Sequence, residues 1–301
     1  MNQVILIDFS SVAFKEFHAL KDLHNKDGIG TGMTFGIIKH LFYLAVKYSW
    51  KMSQILICLD GKPHHKFSIY PDYKSGRKHL DLPKNMAIPI QFKIARVVLK
   101  YFGFTFVINE NEECDSTLAY LAKLFNSKDK EVMIISNDHD MYQCLNEKTS
   151  MMICHTGVGE EIFTERKFIE KHDLIPEDYW KVQTLAGCET DSVPGMSGMG
   201  EKTAFEIVKM NTWEKIISND PELKFPDKRS TTAFRKGYPS WDYKRDEQLV
   251  RLNCSKDIQI IKGEKNEAKI REWFLRLEYK QFLAPANYNR LLKVFGVREI
   301  S

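Results

Sequence analysis

Four short apolar runs in the first half of the chain each end in acidic residues, and longer helical patterns separate them. Asp8 closes VILID, Asp60 closes ILICLD, Glu113 and Asp115 follow FTFVI, and Asp138 and Asp140 follow VMIIS. Runs this short and this uniformly apolar suit strands buried on both faces, as in a parallel sheet covered by helices. Between them, Ile37, Leu41, Leu44 and Tyr48 fall near one helical face, and Ile88–Tyr101 and residues 117–125 also read as helices. The β-α-β-α order predicts an α/β fold: a mainly parallel sheet flanked by helices and joined by right-handed crossovers. Residues 151–154 suggest one more strand. Parallel strands deliver their carboxyl ends to one rim, where open sheets bind ligands.

Each acid alone has a plain structural explanation. Asp8, Asp60 and Asp115 fit helix caps, and Asp138 fits a turn in NDHD. Together on one rim, these carboxylates repel one another and call for cations. Oxygen donors without His or Cys favour Mg²⁺ or Mn²⁺ over zinc. The E-x-D spacing of Glu113 and Asp115 and the D-x-D spacing of Asp138 and Asp140 let two carboxylates share one ion or flank two. Metal-assisted phosphoryl chemistry is the expectation.

A net charge of +4 over 301 residues is modest, so nucleic-acid affinity must come from local patches. The six cysteines form no C-x-x-C pair, which argues against zinc and dithiol sites. No signal peptide or membrane-length apolar stretch is evident, and a reducing, cytoplasmic setting is expected.

Past a soft boundary near residue 160 the pattern turns helical, with ERKFIEKH and then PEDYWKVQTLAG opening on Pro176 as an N1 proline. CETDSVPGMSGMG (188–200) breaks both helix and strand, and residues 201–210 resume a helix. Two short helices around a glycine-rich hairpin match the helix–hairpin–helix way of gripping DNA. Backbone N–H groups around Gly195, Gly198 and Gly200 would meet a phosphate, with Lys202 and Thr203 adding donors. A glycine-rich turn alone is more often an ordinary surface turn. Residues 224–245 carry seven Lys/Arg against two Asp, with Trp241 and Tyr243 interleaved. They read equally as a second duplex contact or a solvated loop. Residues 268–277 look like an amphipathic helix packing back on the core, and 289–295 lack a clamp-binding motif.

VILIDFSSVAF…FHAL, CLDGKP…F…YPDYKSGRK, NEECDSTLA, ISNDHDMYQ and LAGCETDSVPGMSGMGEKTA, in this order, resemble the 5′-nuclease superfamily over residues 1–215. That superfamily includes flap endonucleases, the 5′-nuclease domain of bacterial DNA polymerase I and phage 5′-3′ exonucleases with RNase H-type primer removal. The length, the lack of an appended polymerase and the divergent tail are most similar to phage-encoded members. The resemblance implies a PIN-like α/β core at 1–160 with a helical arch at about 74–95. A helix–hairpin–helix-like module and C-terminal helices would follow at 161–301. It further implies cleavage of branched DNA or RNA·DNA hybrid near a 5′ end with two Mg²⁺ ions, Mn²⁺ substituting, and K⁺ at the hairpin. Carried over by motif, Asp8, Asp60, Glu113, Asp115, Asp138, Asp140 and Asp191 are the metal-binding acids. Tyr73, Lys74 and Arg77 of Y-K-x-x-R lie beside the scissile phosphate, Tyr73 stacking on a terminal base, and Lys66 joins the DNA contacts. Leu80, Leu82, Met86 and Ile88 would form the arch's apolar wedge, or else face the core. His64 and His65 read as loop residues. A monomer working with replication proteins, in a host cytoplasm if phage-encoded, completes the picture.

Two departures bear on this. Ser116 stands where many members carry a second aspartate, and Cys188 stands where the family has the first aspartate of a G-D-x-x-D element. A neutral thiol is a poor Mg²⁺ ligand. A weakened second metal site is therefore expected, unless Glu189 reaches inward. The rival readings are a structure-specific DNA-binding protein whose catalysis is impaired at Cys188, and a PIN-domain ribonuclease acting on folded RNA.

Overall fold

The computed structural model of the chain describes residues 3–76, 82–155, 159–252 and 256–298. Among them, seven strands form one sheet: β1 (Gln3–Asp8), β2 (Ile55–Leu59), β3 (Thr105–Ile108), β4 (Glu131–Ile135), β5 (Thr149–His155), β6 (Gly159–Phe163) and β7 (Gln259–Ile261). Their order is β6-β5-β4-β1-β2-β3-β7, with β1 to β5 parallel and the two edge strands antiparallel. The chain steps outward from β1 to β3, then returns across β1 to lay down β4 and β5. That reversal places the switch point between β1 and β4, where α/β sheets open a crevice at their carboxyl ends.

Period-two alternation splits the strands between two cores. Ile5, Ile7, Ile55, Ile57, Met133 and Ile135 enter one; Val4, Leu6, Cys58, Val132 and Ile134 enter the other. Helices α1 (Phe9–Ala19), α2 (Gly32–Tyr48), α3 (His64–Ile69), α4 (Ile88–Tyr101) and α5 (Cys114–Asn126) occupy the first half. Of these, α1, α2 and α4 supply the first core and α5 the second. The second half holds α6 (Glu165–His172), α7 (Tyr179–Ala186), α8 (Glu201–Met210), α9 (Trp213–Ile217), α10 (Lys228–Gly237) and α11 (Tyr243–Val250). It ends with α12 (Glu267–Arg276), α13 (Lys280–Leu283) and α14 (Pro285–Val294). The amphipathic pattern at 268–277 is α12, whose Ile270 and Phe274 are fully buried. Phe102 and Phe104 meet Phe295 at ring distances of 5.1 and 5.3 Å, so the chain's end closes the first core.

Several expectations change. The stretch assigned to an arch at about 74–95 includes the start of α4, which buries Gln91, Ala95, Val98 and Leu99, so that helix's apolar repeat belongs to the core. Leu82 and Ile88 also pack against that core, whereas Leu80 and Arg77 lie outside the described residues. His64 and His65 begin a short helix, not a loop. Residues 224–245 are not a solvated loop, because α10 buries Phe234 and Trp241 packs against Trp213 and Tyr238.

Candidate active site

Local folding puts five carboxylates at the switch point. Asp8 ends β1 and caps α1: its Oδ1 accepts the Ser11 N–H at 2.9 Å and its Oδ2 the Ser136 hydroxyl at 2.7 Å. Asp60, after β2, accepts the Cys114 N–H at 3.1 Å at the start of α5 and also the Ser10 hydroxyl. Gly61 makes that approach feasible, since a Cβ there would lie 2.0 Å from the Asn109 carbonyl oxygen. Asp115 sits in the first turn of α5. Asp138, after β4, caps a 3₁₀ turn by accepting the Asp140 N–H at 2.9 Å. The plain explanations therefore hold for Asp8 as a helix cap and for Asp138 as a turn residue, whereas Glu113 and not Asp115 takes the cap position of α5, and the cluster exists as well.

Asp115, Asp138 and Asp140 each offer an oxygen within 4.8 Å of the others. Among the described residues, no cationic side chain forms a salt bridge with these three. Burial, then Asp60 and Asp138, push the Asp8 carboxyl up to about 7. Burial, then Asp138 and Asp191, do the same for Asp140, again to about 7. Burial and the neighbouring Asp138, Asp8 and Asp140 hold Asp115 well above the usual carboxylate range. Lys66 offsets only part of this at Asp140, and like charges collected with so little counter-charge are the condition that a divalent cation relieves; all the donors are hard oxygens.

Glu113 and Asp191 belong to a second, already neutralised network. Glu113 Oε2 accepts from Lys66 Nζ at 2.8 Å and from the Tyr73 hydroxyl at 2.9 Å, and Glu113 Oε1 pairs with Lys74. Burial alone would raise Glu113, but the two ammonium groups outweigh it and hold the carboxyl down at about 2. Asp191 Oδ2 lies 2.9 Å from the Tyr73 hydroxyl and 3.4 Å from Lys74 Nζ. Two sequence-based roles are corrected here. Tyr73 is 2% exposed and cannot stack on a base from beneath this network. Lys66 is 5% exposed and turned inward to Glu113, so it is an internal counter-ion and not a DNA contact. Lys74, with φ of 59°, gives its N–H to the Asp191 carbonyl at 2.9 Å.

The hairpin after α7 abuts this network. Cys188 and Val193 exchange two backbone hydrogen bonds of 2.9 Å, and the Gly76 N–H reaches Ser192 Oγ at 3.1 Å. Gly195, at φ 63°, packs so tightly that a Cβ would lie 2.2 Å from the Gly187 nitrogen. Gly198 takes φ 79°, and Gly200 caps α8, where Lys202 is exposed and Thr203 half-buried. Burial raises the Cys188 thiol, which stays neutral, while Glu189 is solvent-exposed. Sequence reasoning missed Gln183, which donates to Asp140 while its Oε1 accepts from Gln143 at 2.8 Å. It also missed Ser10, Ser11 and Ser136; the serines beside the acids in DFSS and ISND were the available signal.

Residues 3–173 match the family model described as the 5′-3′ exonuclease N-terminal resolvase-like domain. A 5′-3′ exonuclease of Aquifex aeolicus is 28% identical over 293 residues, covering 94% of each chain. DNA polymerase I of Bacillus caldotenax is 30% identical over 225 residues, 74% of this chain and 25% of that protein. In fold, the chain is similar to a T5 5′-exonuclease holding zinc (TM-score 0.65, 18% identity, 99% and 100% of the two chains). It is also similar to flap endonuclease-1 of Methanococcus jannaschii (TM-score 0.60, 15% identity, 98% and 93%). The chain belongs to the 5′-3′ exonuclease family and is a nuclease, and it has the PIN-like fold that its structural neighbours share.

Proposed function

We propose that the chain is a Mg²⁺-dependent nuclease cutting branched DNA or RNA·DNA hybrid near 5′ ends, with Asp8, Asp60, Asp115, Asp138 and Asp140 holding the ions. The observation that carries this is the convergence of Asp115, Asp138 and Asp140 within 4.8 Å at the switch point. Held by these carboxylates, divalent ions would supply water activation and charge neutralisation for an in-line phosphoryl displacement. Ser11, Ser136, Cys114 N–H and Gln183 orient the carboxylates beforehand, so their geometry is set before substrate arrives. Lys74, anchored by Glu113 and Asp191, presents its ammonium to the phosphoryl oxygens, a role that the motif extends to Arg77. Glu113 holds Lys66 and Lys74 in place and does not need to be a metal ligand. The 195–200 hairpin with Lys202 and Thr203 grips duplex backbone, its N–H groups and cation suited to phosphate. Residues 1–160 form the catalytic core, and those from 161 the DNA-gripping module and closing helices. Mn²⁺ substitutes for Mg²⁺. The chain acts as a monomer beside replication proteins in a reducing cytoplasm, which its free cysteines suit.

A DNA-binding protein with impaired catalysis is the second reading, favoured by the neutral Cys188 thiol. End-labelled 5′-flap DNA, RNA·DNA hybrid and folded RNA, incubated with Mg²⁺ or EDTA beside Asp138→Ala, separate the readings. Mg²⁺-dependent cleavage of flap or hybrid, lost in Asp138→Ala, is expected. Flap binding without cleavage establishes the second reading, and cleavage of folded RNA alone overturns both.

A further inference from the structure

The cavity over the acids, about 740 Å³, is lined by Asp8, Asp60, Asp115 and Asp138 and also by Phe14 and Phe67. Phe14 is 40% exposed and sets its ring edge-on to Phe92 at 5.3 Å. Phe67 is 41% exposed, and its ring meets that of buried Tyr73 at 5.8 Å and 71°. The short helix α3 explains the contrast. Lys66 turns inward to Glu113, and the next residue, about 100° further round, faces the opening. Phe67 therefore presents a phenyl ring to water in a cavity that it shares with the acids and with Lys15, Lys62 and Lys74.

We propose that Phe67 stacks on a nucleobase next to the phosphodiester being cut, filling the role that burial denies to Tyr73. This rests on the nuclease reading. Five carboxylates and three lysines line the cavity, so charge alone gives a polyanion little hold there before ions arrive, and uncharged surface must contribute. Base stacking is such a contribution, tolerant of sequence because every base has a π-face. Lys62, and Lys15 on the same cavity, stand where a flanking phosphate would pass.

The test measures affinity of the full chain for a 5′-flap DNA in EDTA, with 2-aminopurine placed in turn on each side of the scissile bond. Phe67→Ala should weaken binding by roughly 5- to 150-fold, the worth of one stacked base, and restore the quenched 2-aminopurine fluorescence at one position. Phe67→Tyr and Phe67→Trp should keep both signals, whereas Phe67→Leu, apolar but without a π-face, should lose them. The slope of log affinity against log salt should stay the same, because no phosphate contact is removed. An abasic nucleotide at the quenched position should weaken wild type and leave Phe67→Ala unchanged. The assignment is overturned if Phe67→Leu binds as wild type, or if the abasic substitution costs both proteins equally. Mg²⁺-dependent cleavage by the same wild-type preparation keeps the two questions apart. Cleavage with an inert Phe67 sinks only the stacking role, and no cleavage sinks the nuclease reading itself.

Discussion

Replacing Asp8 by asparagine should make the metal-free protein more stable, although it damages the proposed active site. Asp8 is 4% exposed, and its carboxyl is raised from an ordinary 3.8 to about 7. At pH 8 the folded protein must ionise that group against its surroundings, a cost of about 4 kcal/mol at 1.36 kcal/mol per pKa unit. Asparagine removes the cost and keeps the N-cap bond from Ser11, since the two residues cap equally well. The Ser136 hydroxyl turns from donor to acceptor. Losing a negative charge at the start of α1 takes back about 0.3–1 kcal/mol. A net gain of about 3 kcal/mol remains. An acid with a raised folded-state pKa favours the fold below its unfolded value and loses that advantage as pH rises. The gain of Asp8→Asn should therefore be small near pH 4 and grow until pH passes about 7. Urea unfolding in EDTA across pH 4–9 reads it directly. Mg²⁺ should close most of that gap, because binding at 100 times Kd adds about 2.7 kcal/mol to wild type and less to the variant. If Asp8→Asn is less stable than wild type at pH 8 in EDTA, or the difference is flat with pH, Asp8 is only a helix cap and the rim carries no repulsion.

Other perturbations test the neighbouring parts. Cys188→Asp should lower the Mg²⁺ concentration needed for half-maximal cleavage; an unchanged metal titration removes the thiol from the account. Lys66→Met leaves Glu113 with one ammonium partner fewer and should cost about 3–5 kcal/mol in denaturant unfolding at pH 7. Glu113 is held down near 2, so its stabilising ionisation is complete above its ordinary 4.5 and lost as pH falls through about 2. The Lys66→Met deficit should shrink over that window, and a deficit independent of pH would point to packing alone. Lys202→Ala should weaken duplex binding across sequences and reduce the salt slope by about 1, and an unchanged slope would remove Lys202 from the backbone contact.

Strands β1 to β5 were legible because each holds a short apolar run that is buried on both faces. The edge strands were not. GEEIF of β6 and QII of β7 are half exposed, and β7 finds its partner β3 some 150 residues earlier in the chain. The acids of the rim were legible because strand ends are, and chain direction decides which end they share. What each acid touches was not legible. Asp8 and Glu113 carry equal formal charge in the sequence, yet one faces carboxylates and the other two lysines. That distinction arises from α3, a helix hidden in a basic stretch because its buried residue, Lys66, is itself charged. The same helix exposes Phe67, for which no local pattern gave a signal. Tyr73 was placed at the site by its motif, but only the packing of Val193, Leu249 and Val250 around it reveals that it lies beneath the surface. Gln183 reaches Asp140 from α7, a contact set by how the second half docks on the first.

On this reading, the carboxylates gathered at the β1–β4 switch point hold the divalent ions that serve hydrolysis. Mn²⁺ binding followed by electron paramagnetic resonance, on wild type and Asp115→Asn, tests it most directly. The account predicts that wild type binds Mn²⁺, that Mg²⁺ displaces it, and that Asp115→Asn loses the tightest site together with flap cleavage while remaining folded. Equal Mn²⁺ binding by the two proteins, or cleavage that persists in Asp115→Asn at the same Mg²⁺ requirement, would contradict it.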